Sequence, residues 1–135
     1  MMPPKIIVTG GPGFIGQQVC LQLTAANYDV AVLTRNIDKT KEIFGNRVTA
    51  IFWDGKSATG WIDQVEGACA IINLAGDNIG SGRWTRRKKQ RILDSRLNAG
   101  KAIVELVMNM KNKPKVILQA SGIGIYGDRG EELLD

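Results

Sequence analysis

The stretch that most constrains this chain is VTGGPGFIG, Val8 to Gly16, which closes an apolar run and opens a helical pattern. Gly10, Gly13 and Gly16 stand three residues apart, and Gly11, Gly13 and Gly16 also satisfy the spacing Gly-x-Gly-x-x-Gly. A chain turning sharply from strand into helix needs backbone angles that side chains resist, and glycine supplies them. Bare backbone also lets main-chain N–H groups approach a pyrophosphate, whose charge the positive end of the helix favours. The alternative is a tight turn with a structural role only. Pro12 removes one N–H from the loop, which predicts weaker or reshaped phosphate contacts but not loss of the site.

The flanking patterns supply the context that a dinucleotide loop requires. KIIVTG (Lys5–Gly10) reads as a buried strand, and FIGQQVCLQLTAAN (Phe14–Asn27) as a helix with Ile15, Val19, Leu21, Leu23 and Ala26 facing inward. YDVAVLTR (28–35), RVTAIFWD (47–54), ACAIINLAG (68–76) and PKVILQAS (114–121) read as further strands. IDKTKEIFG is a short helix stopped by Gly45, and one helical turn is expected near Trp61 to Val65. Thr85 is positioned to cap a long helix running to about Met110, with Ile92, Leu93, Leu97, Ile103, Val104, Val107 and Met110 as its apolar stripe. Ser95 and Gly100 offer close contact points on that helix. Continuous apolar strands alternating with helices predict an α/β fold. It is a single Rossmann-type, doubly wound parallel sheet over residues 1–135, with about five strands in the order 3-2-1-4-5.

Arg35 stands at the end of the second strand, nineteen residues after Gly16, where NAD-specific domains carry an acid that binds the ribose 2′-hydroxyl. An arginine suits the 2′-phosphate, so NADP(H) is expected in preference to NAD(H); an exposed Arg at a strand end is the alternative. Asp54, ending the third strand, is either an acceptor for the adenine amino group or a turn residue. The cofactor set read from these units is Thr9, Gly10, Gly11, Gly13, Phe14, Ile15 and Gly16, then Thr34, Arg35 and Asn36, then Asp54.

The absence of histidine leaves proton chemistry to Tyr, Lys or carboxylates. Cys20 and Cys69 match no metal or redox spacing and are expected as buried free thiols, in keeping with a reducing, cytoplasmic setting. No signal peptide is visible, and no apolar run approaches the ~20 residues of a membrane-spanning helix.

The set TGGPGFIG, LTR, FWD, NLAG, GRWT…K…ILDSR and ASGIGIYGDRG resembles the extended short-chain dehydrogenase/reductase superfamily. Within it, the chain is similar to the NAD(P)-dependent epimerase/dehydratase-like branch, some bacterial and cyanobacterial members of which are labelled cell-division inhibitors. The resemblance covers essentially the whole chain. It implies NADP bound on a Rossmann fold, with Asn73, Leu74, Ala75 and Gly76 along the cofactor. It also implies a small polar substrate in the full-length family, such as a nucleotide sugar.

Extended members are about twice this long, and their Tyr-x-x-x-Lys pair and substrate region lie beyond this stretch. Ser121, five residues before Tyr126, is the candidate for the substrate-binding Ser or Thr that follows the fifth strand. Tyr126 has Gly130 where the paired Lys would stand. The resemblance therefore implies a cofactor-binding portion that is not catalytically competent alone. A non-catalytic nucleotide-sensing regulator is the competing reading.

One motif remains outside that account. GRWTRRKKQR, Gly82 to Arg91, holds six basic residues. The chain has 18 Lys+Arg against 13 Asp+Glu; without these six, 12 basic residues face 13 acidic ones. The positive charge thus belongs to one segment. Three readings stand: a solvated helix end, contact with cofactor phosphates or an acidic substrate, and an anion or nucleic-acid patch over residues 83–91. Interleaved aromatics and a second basic element, which would favour nucleic acid, are missing. Gly80, Ser81 and Gly82 before the segment suit a lid over a ligand. An unprotected fifth strand also predicts self-association through that edge or the exposed face.

Overall fold

A computed structural model describes residues 1–121 and 128–133. Five strands are present: β1 (Lys5–Thr9), β2 (Asp29–Thr34), β3 (Thr49–Phe52), β4 (Ala70–Asn73) and β5 (Val116–Gln119). They form one sheet in the order β3-β2-β1-β4-β5, and every pairing is parallel. The helices are α1 (Phe14–Ala25), α2 (Ile37–Phe44), α3 (Ile62–Val65) and α4 (Arg86–Asn109). A 3₁₀ turn, Gly45–Arg47, leads into β3 and takes Arg47 out of the strand expected to include it.

Strand side chains alternate between two faces, and both faces here are covered. Ile6, Val8, Val30 and Val32 pack with Cys20 of α1 and Phe44 of α2. Ile7, Ala31, Leu33, Ile51 and Ile71 pack on the other face with Trp53, Trp61, Val65 and the inner side of α4. Trp53 and Trp61 meet edge to face, 6.2 Å between centroids, and the Trp53 indole N–H donates to the Ser57 carbonyl at 2.7 Å.

Several expectations are corrected. Ile15 is 64% exposed and Ala26 is exposed, so neither joins the inward face of α1. The cause is Gly16: its backbone lies so close to the turn that a Cβ would fall 2.2 Å from the Gly10 carbonyl oxygen. That contact sets the rotation of the helix, turning Gly16, Cys20 and Leu23 toward the sheet and Ile15 outward. On α4 the buried residues are Ala99, Ala102, Ile103, Leu106 and Met110, while Leu93, Leu97 and Val104 are exposed. The stripe expected as one face is therefore two. Cys20 is buried, but Cys69 is only half-buried.

Candidate functional site

The strand order reverses between β1 and β4, and the crevice beyond their carboxyl ends is where ligands bind in such sheets. Thr9 and Asn73 end these strands directly opposite one another. The buried Thr9 hydroxyl donates to Asn73 Oδ1 at 2.5 Å and accepts from the N–H groups of Leu74 and Ala75, each at 3.1 Å. Asn73 Nδ2 donates to Gln119 Oε1 at 2.7 Å, and the Ala120 N–H donates to the Asn73 carbonyl at 3.0 Å. Three strand ends are thereby tied together. Thr9 and Asn73 serve here as a brace, and Gln119, which the sequence reading did not single out, completes it.

The glycine loop rises from this brace. Gly10 has φ +69°, and a Cβ on it would sit 2.8 Å from the Leu74 carbonyl oxygen. At Gly11 a Cβ would meet Val32 Cγ1 at 2.7 Å. Gly13 differs: it is exposed, and among the described residues a Cβ there would approach only the Gly10 oxygen, at 3.1 Å. Gln17 Nε2 donates to the Pro12 carbonyl at 2.9 Å and steadies the turn.

Gly13 is also the N-cap of α1, and among the described residues no side chain accepts from the first-turn N–H groups; the first turn holds no acid either. By contrast α2 is capped by Asn36, which accepts from the Lys39 N–H, and α4 by Thr85, which accepts from the Lys88 N–H. Unsatisfied N–H groups at a helix start form a ready anion site. The four-residue α3 also lacks a side-chain cap, but of the three longer helices only α1, which the glycine loop opens, starts uncapped. This backbone fits a dinucleotide pyrophosphate. Phe14, 93% exposed, and Ile15 flank the turn with apolar surface.

At the end of β2 the buried Thr34 hydroxyl accepts from the Asn36 N–H at 3.1 Å and from the Thr40 hydroxyl at 3.0 Å. These bonds fix the turn that presents Arg35. Its side chain is exposed and forms no ion pair among the described residues. Asn36 caps α2, which commits its side-chain oxygen. Asp54 Oδ1 accepts from the N–H groups of Lys56 and Ser57 at 2.8 and 2.9 Å. The Ser57 and Lys56 N–H groups hold its carboxyl below the usual carboxylate range. Asp54 thus holds a turn through one carboxylate oxygen, Oδ1.

Beyond β4, Gly76 lies against Arg96: a Cβ there would come 2.8 Å from Arg96 Cζ. The Asp77 N–H donates to Ser95 Oγ at 2.9 Å, and the Asp77 carboxylate pairs with Arg91 at 3.3 Å. Asp77, Ser95 and Arg96 thus moor the loop after β4 to α4. The ILDSR residues of the sequence motif carried that signal, though no site role was read from it. Ser121 is exposed, two residues past β5. Tyr126 lies outside the described residues. Among the described residues no group of three or more His, Cys, Asp or Glu side chains is placed to hold a metal ion, and no helix is long and apolar enough to cross a membrane.

Sheet order, glycine turn and bare helix start define a dinucleotide-binding Rossmann domain. The chain belongs to the NAD dependent epimerase/dehydratase family, whose model matches residues 6–134. It is 39% identical over 125 residues to the epimerase family protein YfhF of Bacillus subtilis, covering 91% of this chain and 39% of that protein. It is 34% identical over 124 residues to the chloroplastic epimerase family protein SDR39U1 homolog of Arabidopsis thaliana, covering 90% and 35%. The crystal structure of human epimerase family protein SDR39U1 with NADPH superposes with a TM-score of 0.72 at 27% identity, over 89% of this chain and 37% of that one. Gre2 of Candida albicans in complex with NADPH shares the fold, with a TM-score of 0.71 at 22% identity, over 88% and 37%. The chain spans less than two fifths of the length of these relatives.

Proposed function

We propose that this chain binds NADP(H) in preference to NAD(H), as the cofactor-holding portion of an epimerase/dehydratase-type oxidoreductase acting on a small polar molecule in the cytoplasm. One observation carries the reading: α1 begins uncapped at the glycine turn, with the exposed Arg35, which has no ion-pair partner among the described residues, at the neighbouring strand end. The first-turn N–H groups would hold the pyrophosphate, and Arg35 would hold the 2′-phosphate as a bidentate partner. The bound nicotinamide would supply hydride chemistry. The protein's own part is to fix the cofactor through the Thr9–Asn73–Gln119 brace, with Ser121 and Tyr126 as candidates for contact with substrate. The NADPH-bound human relative supports the choice of cofactor.

Fluorescence titration with NADPH and NADH tests it. NADPH should bind more tightly, and Arg35→Asp should weaken NADPH by about ten- to a hundredfold while sparing NADH, since a hydrogen bond to a charged group contributes about 1.5–3 kcal/mol. Equal affinities in the wild type, or a preference that survives Arg35→Asp, would refute the assignment.

A further inference from the structure

The basic segment builds a cleft of its own. Its volume is about 420 Å³, and Arg83, Arg87, Lys88 and Arg91 line it together with Ser81 and Thr85. Arg83 stands before the helix, in the loop, and the other three project from the first turns of α4, so loop and helix face one another across the opening. Lys88 is only 6% exposed. Its ammonium donates to the carbonyl and, at 2.8 Å, to the hydroxyl of Ser81, which pins the loop to the helix. Trp84 Nε1 adds a second tie, donating to the Ile79 carbonyl at 3.0 Å.

Neither Ser81 group neutralises the lysine. Among the described residues Arg83, Arg87 and Lys88 pair with no carboxylate, and only Arg91 does, with Asp77. An ammonium has three protons, and two of these have partners. Four cations held around one concavity repel one another, and burial of Lys88 deepens the cost. A bound polyanion removes both penalties. The volume falls within the range of small-molecule sites, roughly 300–1,000 Å³. A concave site drawn from one segment suits a compact ligand, whereas a nucleic acid needs a basic stripe over an extended surface. The loop leaves β4 at the reversal point of the sheet, beside the cofactor crevice, and the Asp77 contacts hold it there.

We propose that this cleft binds a phosphate group of the substrate, which is then a small organic phosphate or diphosphate. The proposal rests on the reading that the neighbouring glycine loop takes NADP(H). A calorimetric titration of the full chain with inorganic pyrophosphate, with and without saturating NADPH, separates the two. The expected result is that pyrophosphate binds in both conditions and is weakened about tenfold by Arg87→Gln, an exposed position that leaves the fold intact. Lys101→Gln, exposed on the same helix outside the cleft, should change nothing. Lys88→Met should also lose pyrophosphate, with circular dichroism reporting whether the fold survives.

Pyrophosphate displaced by NADPH and indifferent to Arg87→Gln would put the anion at the glycine loop and overturn the proposal. So would intact NADPH binding with no pyrophosphate uptake. Duplex DNA held more tightly than pyrophosphate, with a steep salt dependence and sensitivity to Arg87→Gln, would replace it with a nucleic-acid patch. Pyrophosphate binding that responds to Arg87→Gln in a protein that takes up no NADPH would sustain the cleft and refute the cofactor reading instead.

Discussion

β1 and β5 are written in similar residues, KIIVT and VILQ, and meet opposite fates. Ile6, Ile7, Val8 and Thr9 are all buried, whereas all four residues of β5 are exposed. β1 lies between β2 and β4, with α1 over one face and the α3–α4 side over the other. β5 pairs with β4 alone among the described strands. A β-branched run specifies a strand; whether that strand is buried depends on what the rest of the chain lays over it. The same contrast divides α4, where Ala99, Ile103 and Leu106 face the sheet and Leu93, Leu97 and Val104 face outward.

The largest effect expected from this contrast is on stability at the centre. Ile7 is fully buried at the middle of β1, in the cluster that includes Leu33, Ile51 and Ile71. Ile7→Ala should cost about 2–5 kcal/mol, the usual range for emptying a packed site. Denaturant unfolding should show a much lower midpoint at unchanged slope. If Ile7→Ala cost no more than truncating Ile117 on β5, the contrast between the strands would be broken.

The two thiols sharpen the comparison on a smaller scale. Cys20 is enclosed on the α1 side of the sheet, and burial pushes its thiol up to about 11 from 9.0. The folded state therefore favours the neutral thiol. That contribution is fully present below pH 9 and is lost as pH rises through 11, the loss approaching roughly 3 kcal/mol above that pH. Wild type should lose stability over that window more steeply than Cys20→Ala. In the native protein at pH 8, a thiol reagent should modify the half-buried Cys69 well before Cys20. Equal rates would show that the enclosure around Cys20 opens as readily as the half-buried position of Cys69 on the same side of the sheet.

The order of elements was legible because each apolar run or helical period is local, and so was the loop whose three-residue glycine spacing opens α1. Thr85 capping α4 and Gly45 ending α2 were equally local, and both stand as read. What escaped was set across long distances in the chain. The rotation of α1 follows from Gly16 touching the Gly10 backbone, so Ile15 was misassigned inward. The brace joins Thr9 to Asn73 and Asn73 to Gln119, residues 64 and 46 positions apart, which no periodicity reveals. Lys88 was one charge among six in the sequence, and only the folded loop makes it the buried one.

The smallest effect on stability belongs to the margin, and there the outcome to read is association. We propose that β5 pairs with a second copy of this chain. Its outer edge offers main-chain N–H and C=O groups with no strand partner among the described residues, and it presents Val116, Ile117 and Leu118 beside them. A second copy supplies an identical edge, which satisfies those groups and covers the apolar side chains at once. Light scattering should report a dimer or larger assembly for the wild type. Leu118→Lys should give a monomer with unfolding changed by no more than about 0.5 kcal/mol, because Leu118 is already 54% exposed and its replacement empties no packed site. A monodisperse wild-type monomer would remove the association. A large loss of stability in Leu118→Lys would remove the contrast itself, since β5 would then be buried against something in the same molecule.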